Sequence, residues 1–270
     1  ARDYTELESL ISTSFPFVRA HEKTNDCIER LKDYAEDSIP VLDDVDNLLG
    51  VITSQSIVEV VDDELSEDYV KFAGLTAEED LKEPLGQSIR KRMPWLLILL
   101  CLGMVVSTLV GAFERVIAHL TIIMAFQSLI LDMAGNVGTQ SLAVTIRVLT
   151  DENLTVGQKF KLVFKESRVG LSVGLILGVA SVVLIGLYLM FIKQKEPLFA
   201  FAVSGCIGVS LLVSMIFSSV IGTLIPLFFK KIKVDPAVAS GPLITTINDL
   251  IAVGCYYGMS WILLINVMGF

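Results

Sequence analysis

Acidic side chains are scarce in the last two thirds of this 270-residue sequence, and histidine and cysteine are scarce throughout. The two histidines, His21 and His119, stand alone, and neither is assigned a metal. No HExxH helix is present, which removes the zinc-protease reading. The four cysteines form no CxxC pair and no dense spacing, so neither a zinc ribbon nor a disulfide scaffold is indicated. A basic excess is lacking too: 30 Asp and Glu outnumber 21 Lys and Arg, giving a net charge of −9. That balance argues against nucleic acid as a partner. Residues 1–10 are polar and acidic and do not read as a signal peptide.

What is present is long apolar sequence. Residues 1–89 hold seven Lys and Arg against twenty-two Asp and Glu, a net of −15, whereas the remainder nets +6. Such asymmetry predicts two domains in different solvents. A helix needs about 20 apolar residues to span a bilayer. Residues 94–113, 169–192 and 197–229 are uncharged, 116–131 has only His119 and ends at Asp132, and 242–267 is interrupted by Asp249. These runs predict five transmembrane helices, with a bend near Pro226 in the fourth. With the acidic part inside, eleven Lys and Arg flank the spans on the cytoplasmic side and three (Arg115, Lys193, Lys195) outside. The expected topology is N-terminus cytoplasmic, C-terminus extracellular, in a multi-pass cell-membrane protein.

The acidic part reads as a small mixed α/β domain. Helical spacing covers residues 25–34, short strands 38–42 and 49–53 flank a turn at 43–47, and a helix restarts at 57–61. Residues 64–92 are charged and helix-compatible, with a break around 84–86, and lead directly into the first span.

One residue in the spans is costly. An ionisable side chain deep in a membrane helix costs several kcal/mol, so Asp249 is expected to face a cavity or a partner. Thr245 lies four residues earlier on the same helix face, and the Thr245–Asp249 stretch supplies the hard oxygen ligands that suit Mg²⁺. A second polar cluster comprises Asp132, Gly135, Asn136, Gly138 and Thr139. Its glycines allow close helix approach or an unwound backbone, and Asp132 and Asn136, four residues apart, share one helix face. Asp235-Pro236 is a helix-start signal. Glu59, Glu64, Glu67 and Asp68 form an acidic run in the other half.

The stretch Ser38-Ile-Pro-Val-Leu-Asp-Asp followed by Leu49-Gly-Val-Ile-Thr-Ser resembles the second half of a CBS motif. Residues 1–11 look like the tail of a preceding one, so we expect the chain to begin partway through a longer protein. Two membrane stretches, Asp132-Met-Ala-Gly-Asn-Val-Gly-Thr-Gln-Ser141 and Val234-Asp-Pro-Ala-Val-Ala-Ser-Gly-Pro-Leu-Ile-Thr-Thr-Ile-Asn-Asp249, resemble the signatures of the MgtE family of magnesium channels and transporters. The resemblance implies a homodimer whose CBS domains and connecting plug helix close the pore when cytosolic Mg²⁺ is high. It matches Asp249 to the family's pore aspartate and the Thr245 carbonyl to its companion ligand. Asn136, Gly135, Thr139, Asp132 and Asn248 are the expected pore-lining residues, with Asn136 ranked ahead of Asp132 because the resemblance implies a variable residue at the latter position. Asp235 would share regulatory Mg²⁺ with Glu59, Glu64, Glu67 and Asp68. One departure weakens nucleotide binding: Ser56 stands where ATP-binding CBS motifs carry a ribose-holding Asp.

The expected fold is therefore an α-helical integral membrane protein with five transmembrane helices and a small α/β CBS-type cytoplasmic domain. Residues 1–63 would be the CBS-type segment, 64–92 the plug-like connecting helix and 93–270 the pore domain. The expected function is Mg²⁺ uptake through a channel or channel-like transporter gated by cytosolic Mg²⁺, with no enzymatic activity. Mg²⁺ would be both cargo and regulator, and the partners a second copy and the lipid bilayer. A secondary divalent-cation exchanger and an intramembrane aspartyl protease are the competing readings. The protease reading lacks the Tyr-Asp and Gly-x-Gly-Asp contexts of such enzymes.

Overall fold

A computed structural model describes residues 16–22, 38–75, 82–119, 121–151, 154–238 and 241–269. The chain divides into two units, Ala1–Glu67 and Asp68–Phe270.

In the first unit the alternating stretches on either side of residues 43–47 pair as a hairpin. Strands β2 (Ser38–Leu42) and β3 (Leu48–Thr53) are antiparallel, with Ile39 opposite Ile52. A two-residue strand, β1 (Val18–Arg19), adds in parallel to β2, giving the order β1-β2-β3. Two residues are too few to show a period, so this strand is invisible to sequence patterning. Val18 and Ile39 are buried and Ile52 packs against them, forming a small one-sided core. The helix expected at residues 25–34 lies outside the described residues.

Asp43 organises the hairpin turn. Its Oδ1 accepts from the backbone N–H groups of Val45 (2.9 Å) and Asn47 (2.8 Å), and its Oδ2 from Asn47 Nδ2 at 3.0 Å. Arg19 donates from Nη1 to the Asp43 carbonyl and from Nη2 to Asp46, both at 2.9 Å. Asp46 takes the left-handed conformation, φ 64°, that an Asx side chain tolerates in turns. Donation from Asn47, by side chain and then by backbone, holds the Asp43 carboxyl below its ordinary value of 3.8. A depressed folded-state value stabilises the fold above the ordinary carboxylate pKa, and that contribution disappears as pH falls through the lower, folded-state value. Thermal melts of the chain should therefore show the first unit losing stability in that acid window. Asp43→Asn should flatten this part of the pH profile, and an unchanged profile would contradict the assignment.

Helix α1 (Ser54–Phe72) follows β3 at once. Thr53 starts it: its hydroxyl accepts from Ser56 N–H at 3.2 Å and lies 3.0 Å from the Ser56 hydroxyl. The helix expected at 57–61 is thus the early part of a longer one.

The second unit is built on helices α2 (Leu85–Ala112), α3 (Glu114–His119), α4 (Thr121–Asp151), α5 (Val156–Leu187), α6 (Pro197–Lys231) and α7 (Gly241–Met259). Wider π turns extend α5 to Ile192 and α7 to Val267. Five of these helices are long and apolar enough to cross a membrane. Their packing is inside-out for water. The interior of α6 holds Ser204, Ser210, Ser214, Ser218, Ser219 and Thr223, while Leu175, Ile176, Val179 and Leu184 of α5 point outward. Helix α2 contributes no buried residue. Hydroxyls inside and aliphatic chains outside suit a lipid solvent.

Inter-helix contacts fix the directions. Tyr256 OH donates to the Ile123 carbonyl and Tyr257 OH to Gln127 Oε1, while Thr245 lies against Gly135, so α7 runs antiparallel to α4. Gly178 meets Gly208, and Gly170 meets Ser219, so α5 and α6 are antiparallel. Gly138 touches Gly222 and Lys230 Nζ reaches the Leu149 carbonyl, so α4 and α6 are parallel. The directions alternate along the chain, as successive crossings require.

Two expected boundaries are corrected. The second span does not end at residue 131: α4 continues unbroken through the glycine-rich stretch. Its glycines are packing surfaces, and Thr139 Oγ1 bonds back to the carbonyls of Gly135 (3.1 Å) and Asn136 (3.0 Å). The third helix begins at Val156, thirteen residues before the uncharged run. A capping box starts it, with Thr155 and Gln158 exchanging bonds, and its basic residues are good helix formers.

Candidate functional site: a polar face shared by α4 and α7

The antiparallel register of α4 and α7 brings Asp132 level with Asp249, and Asp132 is the acidic neighbour of Asp249. One turn away, Gly135 makes room for Thr245, whose Cγ2 would lie 3.0 Å from any Cβ added at that glycine. Thr245 Oγ1 donates to the Gly241 carbonyl at 3.0 Å, so its hydroxyl is engaged inside α7. Asp132 and Asn136 are exposed on α4, and Thr245 and Asp249 are half-buried on α7. Together they form one polar face that opens outward from the single chain. Gly135 is buried and Thr139 half-buried.

Asn248 sits differently. Its side chain is completely buried against Gly138, where a Cβ would overlap its Nδ2. Neither amide atom has a hydrogen-bond partner among the described residues. A buried unpaired amide costs about 1–3 kcal/mol. The structure therefore groups Asp132, Asn136, Thr245 and Asp249 on one face and sets Asn248 behind it.

Among the described residues no three His, Cys, Asp or Glu side chains gather as a metal-holding group. The face offers two carboxylates, an amide and backbone oxygens, hard acceptors suited to hydrogen bonds from the waters that Mg²⁺ gives up reluctantly.

Asp235 lies at the other expected position, ahead of α7. Its Oδ1 accepts from Ala237 N–H at 2.9 Å and caps the short 3₁₀ turn Pro236–Val238. Its Oδ2 receives Lys71 Nζ at 2.7 Å. Next to Lys71, Phe72 packs with Leu142, Ile146, Ile225, Phe229 and Ile244. Lys71 and Phe72 belong to the second unit, so both contacts lie within it. Glu59 is exposed; the side chains of Glu64, Glu67 and Asp68 lie outside the described residues.

Two participants escape the sequence reading. Lys71 is a lone cation in an acidic run, and its partner lies 164 positions away. Glu166 sits in a basic flank, yet it is 5% exposed. Its Oε2 accepts from Ser141 Oγ at 3.0 Å, its backbone carbonyl from Ser219 Oγ at 2.6 Å, and the two hydroxyls lie 2.9 Å apart. Glu166 thereby joins α4, α5 and α6. The signal was its spacing, four residues before Gly170 and in step with Gly174 and Gly178 on the buried stripe of α5.

Residues 127–259 match the family model MgtE, described as divalent cation transporter, and residues 7–63 match the CBS domain. The chain is 34% identical over 258 residues to a protein of Enterococcus faecalis named Magnesium transporter MgtE, covering 96% of this chain and 55% of that one. A protein of the same name from Bacillus subtilis is 34% identical over 223 residues, covering 83% of this chain and 48% of the relative. The namesake from Thermus thermophilus is 28% identical over 262 residues, or 96% and 56%. The chain spans about half the length of these curated relatives. The family that the membrane half matches is one of transporters, not of enzymes. Through that membrane half, which follows a CBS domain, the chain belongs to the MgtE family.

Proposed function

We propose that this chain moves Mg²⁺ across a membrane as one subunit of a homodimeric channel, with the Asp132–Asp249 face lining the path of a largely hydrated ion. The observation that carries the reading is the pairing of two carboxylates at one level on membrane helices, on a face that opens out of the single chain. Lipid is a poor neighbour for such a face. A second copy placed against it would enclose water, and up to four carboxylates at close range would repel one another unless a divalent cation lay between them. Mg²⁺ as the cargo is supported by the names of the three relatives. The N-terminus is placed in the cytoplasm on the charge bias of the flanks, and residues 64–92 are assigned as the segment connecting the CBS part to the pore.

Mg²⁺ uptake into proteoliposomes with and without an imposed potential tests the reading. A channel gives flux that follows the potential, and dependence on a Na⁺ or H⁺ gradient would favour the exchanger. No Mg²⁺ uptake under any of these conditions would overturn the function.

Regulation by cytosolic Mg²⁺ is proposed to act at Asp235. Glu67 and Asp68 precede Lys71 by four and three positions on α1, and Lys71 already occupies the Asp235 carboxylate. Mg²⁺ shared between Asp235 and the acids of α1 would have to displace Lys71. Lys71→Gln should then lower the Mg²⁺ concentration needed for closure by roughly two- to fivefold, the scale of a half-exposed ion pair. Asp235→Asn should raise that concentration. Patch recordings at graded internal Mg²⁺ measure both, and identical closing curves would remove Asp235 from the brake. Adenine nucleotides are assigned no role, since Ser56 is tied to Thr53 where a ribose-holding carboxylate would be needed.

A further inference from the structure

Helix α5 outruns the membrane at its N-terminal end. Its uncharged stretch, residues 169–192, is about 36 Å long at 1.5 Å per residue, already enough for a hydrocarbon core of about 30 Å. The first thirteen residues, 156–168, therefore lie at headgroup depth and beyond. Lys161, Lys165 and Arg168 fall there at i, i+4 and i+7, on one helix face. Each is exposed, and the Lys165 side chain is 66% accessible. Phe164 stands among them, 67% exposed, with the Arg168 guanidinium 6.0 Å from its ring centre. A shallow groove begins at these residues and continues down the apolar part of the helix past Val169, Ser172 and Val173.

The opposite face of α5 offsets this charge only at Lys165. Glu166 is buried against Ser141 and Ser219, and its approach to Lys165 is long, 3.8 Å. Lys161 and Arg168 have no carboxylate partner among the described residues. Isolated lysines at a helix end simply snorkel to water. Three cations on one face, an aromatic ring between them and an apolar groove directly below are matched instead by a molecule with an anionic head and an acyl tail.

We propose that this face of α5 is a binding site for an anionic phospholipid. The phosphate is held by Lys161, Lys165 and Arg168, and an acyl chain lies along Val169 and Val173. Zwitterionic lipids carry the same phosphate with a cation attached, so they bind more weakly. Each basic side chain near such a headgroup contributes about a fivefold gain in affinity.

The test uses the full chain, delipidated in detergent and titrated with phosphatidylglycerol or phosphatidylcholine, with retained lipid counted by native mass spectrometry. The expected result is preferential retention of phosphatidylglycerol, weakened about thirtyfold in Lys161→Gln/Arg168→Gln. That double variant leaves Lys165 beside Glu166, so the packed face is untouched. Lys193→Gln/Lys195→Gln, which removes two charges at the other end of the same helix, should retain the lipid as the native chain does. Inorganic phosphate at millimolar concentration should not displace it, because the tail contributes to binding. Equal retention of the two lipids, undiminished retention in the double variant, or full displacement by phosphate would each overturn the proposal. None of these outcomes depends on whether the chain transports Mg²⁺.

Discussion

Asp249→Ala should abolish Mg²⁺ flux in reconstituted vesicles while leaving the helix bundle folded. The side chain is half-buried on the polar face, at the level of Asp132. Its removal takes one carboxylate per subunit from the level it shares with Asp132. A hydrated Mg²⁺ presents six waters, each a donor polarised by the ion, and charge-assisted hydrogen bonds of that kind are roughly twice as strong as neutral ones. Asp249→Asn keeps the size and an acceptor but loses the charge, and replaces two acceptor oxygens by one oxygen and a donor NH₂. It should lose nearly as much, on the order of a hundredfold in flux if two charge-assisted bonds weaken by about 1.5 kcal/mol each. Asp132→Asn should cost less, since Asp132 is the more exposed of the pair. Normal flux through Asp249→Ala would remove the residue at the centre of the account.

The second large effect is on stability. Gly222→Val should lower the melting temperature sharply and abolish flux along with it. A Cβ at Gly222 runs into the backbone carbonyl of Gly138, closer than real Cβ atoms come, and neither helix has a flexible side chain there to move aside. Ordinary overpacking costs about 1–3 kcal/mol, and a backbone-to-backbone clash belongs at or above the top of that range. The contact also holds α4 in place. Gly138 seats Asn248, and Gly135 seats Thr245, so pushing α4 away from α6 would shift the polar face. Gly205 is the control, because a Cβ there meets nothing within 4 Å. Gly205→Ala should leave melting unchanged or raise it slightly, as expected for glycine replaced within a helix. If both variants melt alike, the close α4–α6 contact is not what limits the bundle.

The membrane half was legible because its solvent enforces a simple rule. Every backbone polar group in hydrocarbon must be bonded within the segment, so a long uncharged run has one structural outcome. Helix ends were less legible. The notion of a span ending at Asp132 assumed that charge and glycine terminate helices, whereas α4 carries both through its middle. Lateral packing on α6 and α7 compensates, and packing is a tertiary fact. The same reason hid Glu166: its neighbours in sequence are cations, and its hydrogen-bonding partners are 25 and 53 residues away. The hairpin β2–β3 was legible from its turn residues, since Asp43 and Asn47 make bonds that these residue types favour locally. β1 was not, because its place in the sheet comes from pairing with Val41 and Leu42.

Among the candidate site residues, Asp249 could be singled out from one fact, the cost of a carboxylate in a span. Thr245 followed from helical spacing alone. The level pairing of Asp132 with Asp249 could not be read, since it depends on the antiparallel register set by Tyr256, Tyr257 and the glycine contacts. Helical phase alone did not separate Asn248 from Asp249 either. They are adjacent in sequence, and only the position of Gly138 decides which of the two is enclosed.

The most direct measurement is block by cobalt(III) hexaammine, an inert mimic of hydrated Mg²⁺ that cannot exchange its ligands. Mg²⁺ flux is followed in proteoliposomes under a fixed potential while the complex is added on one side. If the Asp132–Asp249 face recognises an ion through its waters, the complex should compete with Mg²⁺ and stop flux, and raising Mg²⁺ should relieve the block. Flux that continues undiminished in the presence of the complex would contradict recognition of the hydrated ion at this face.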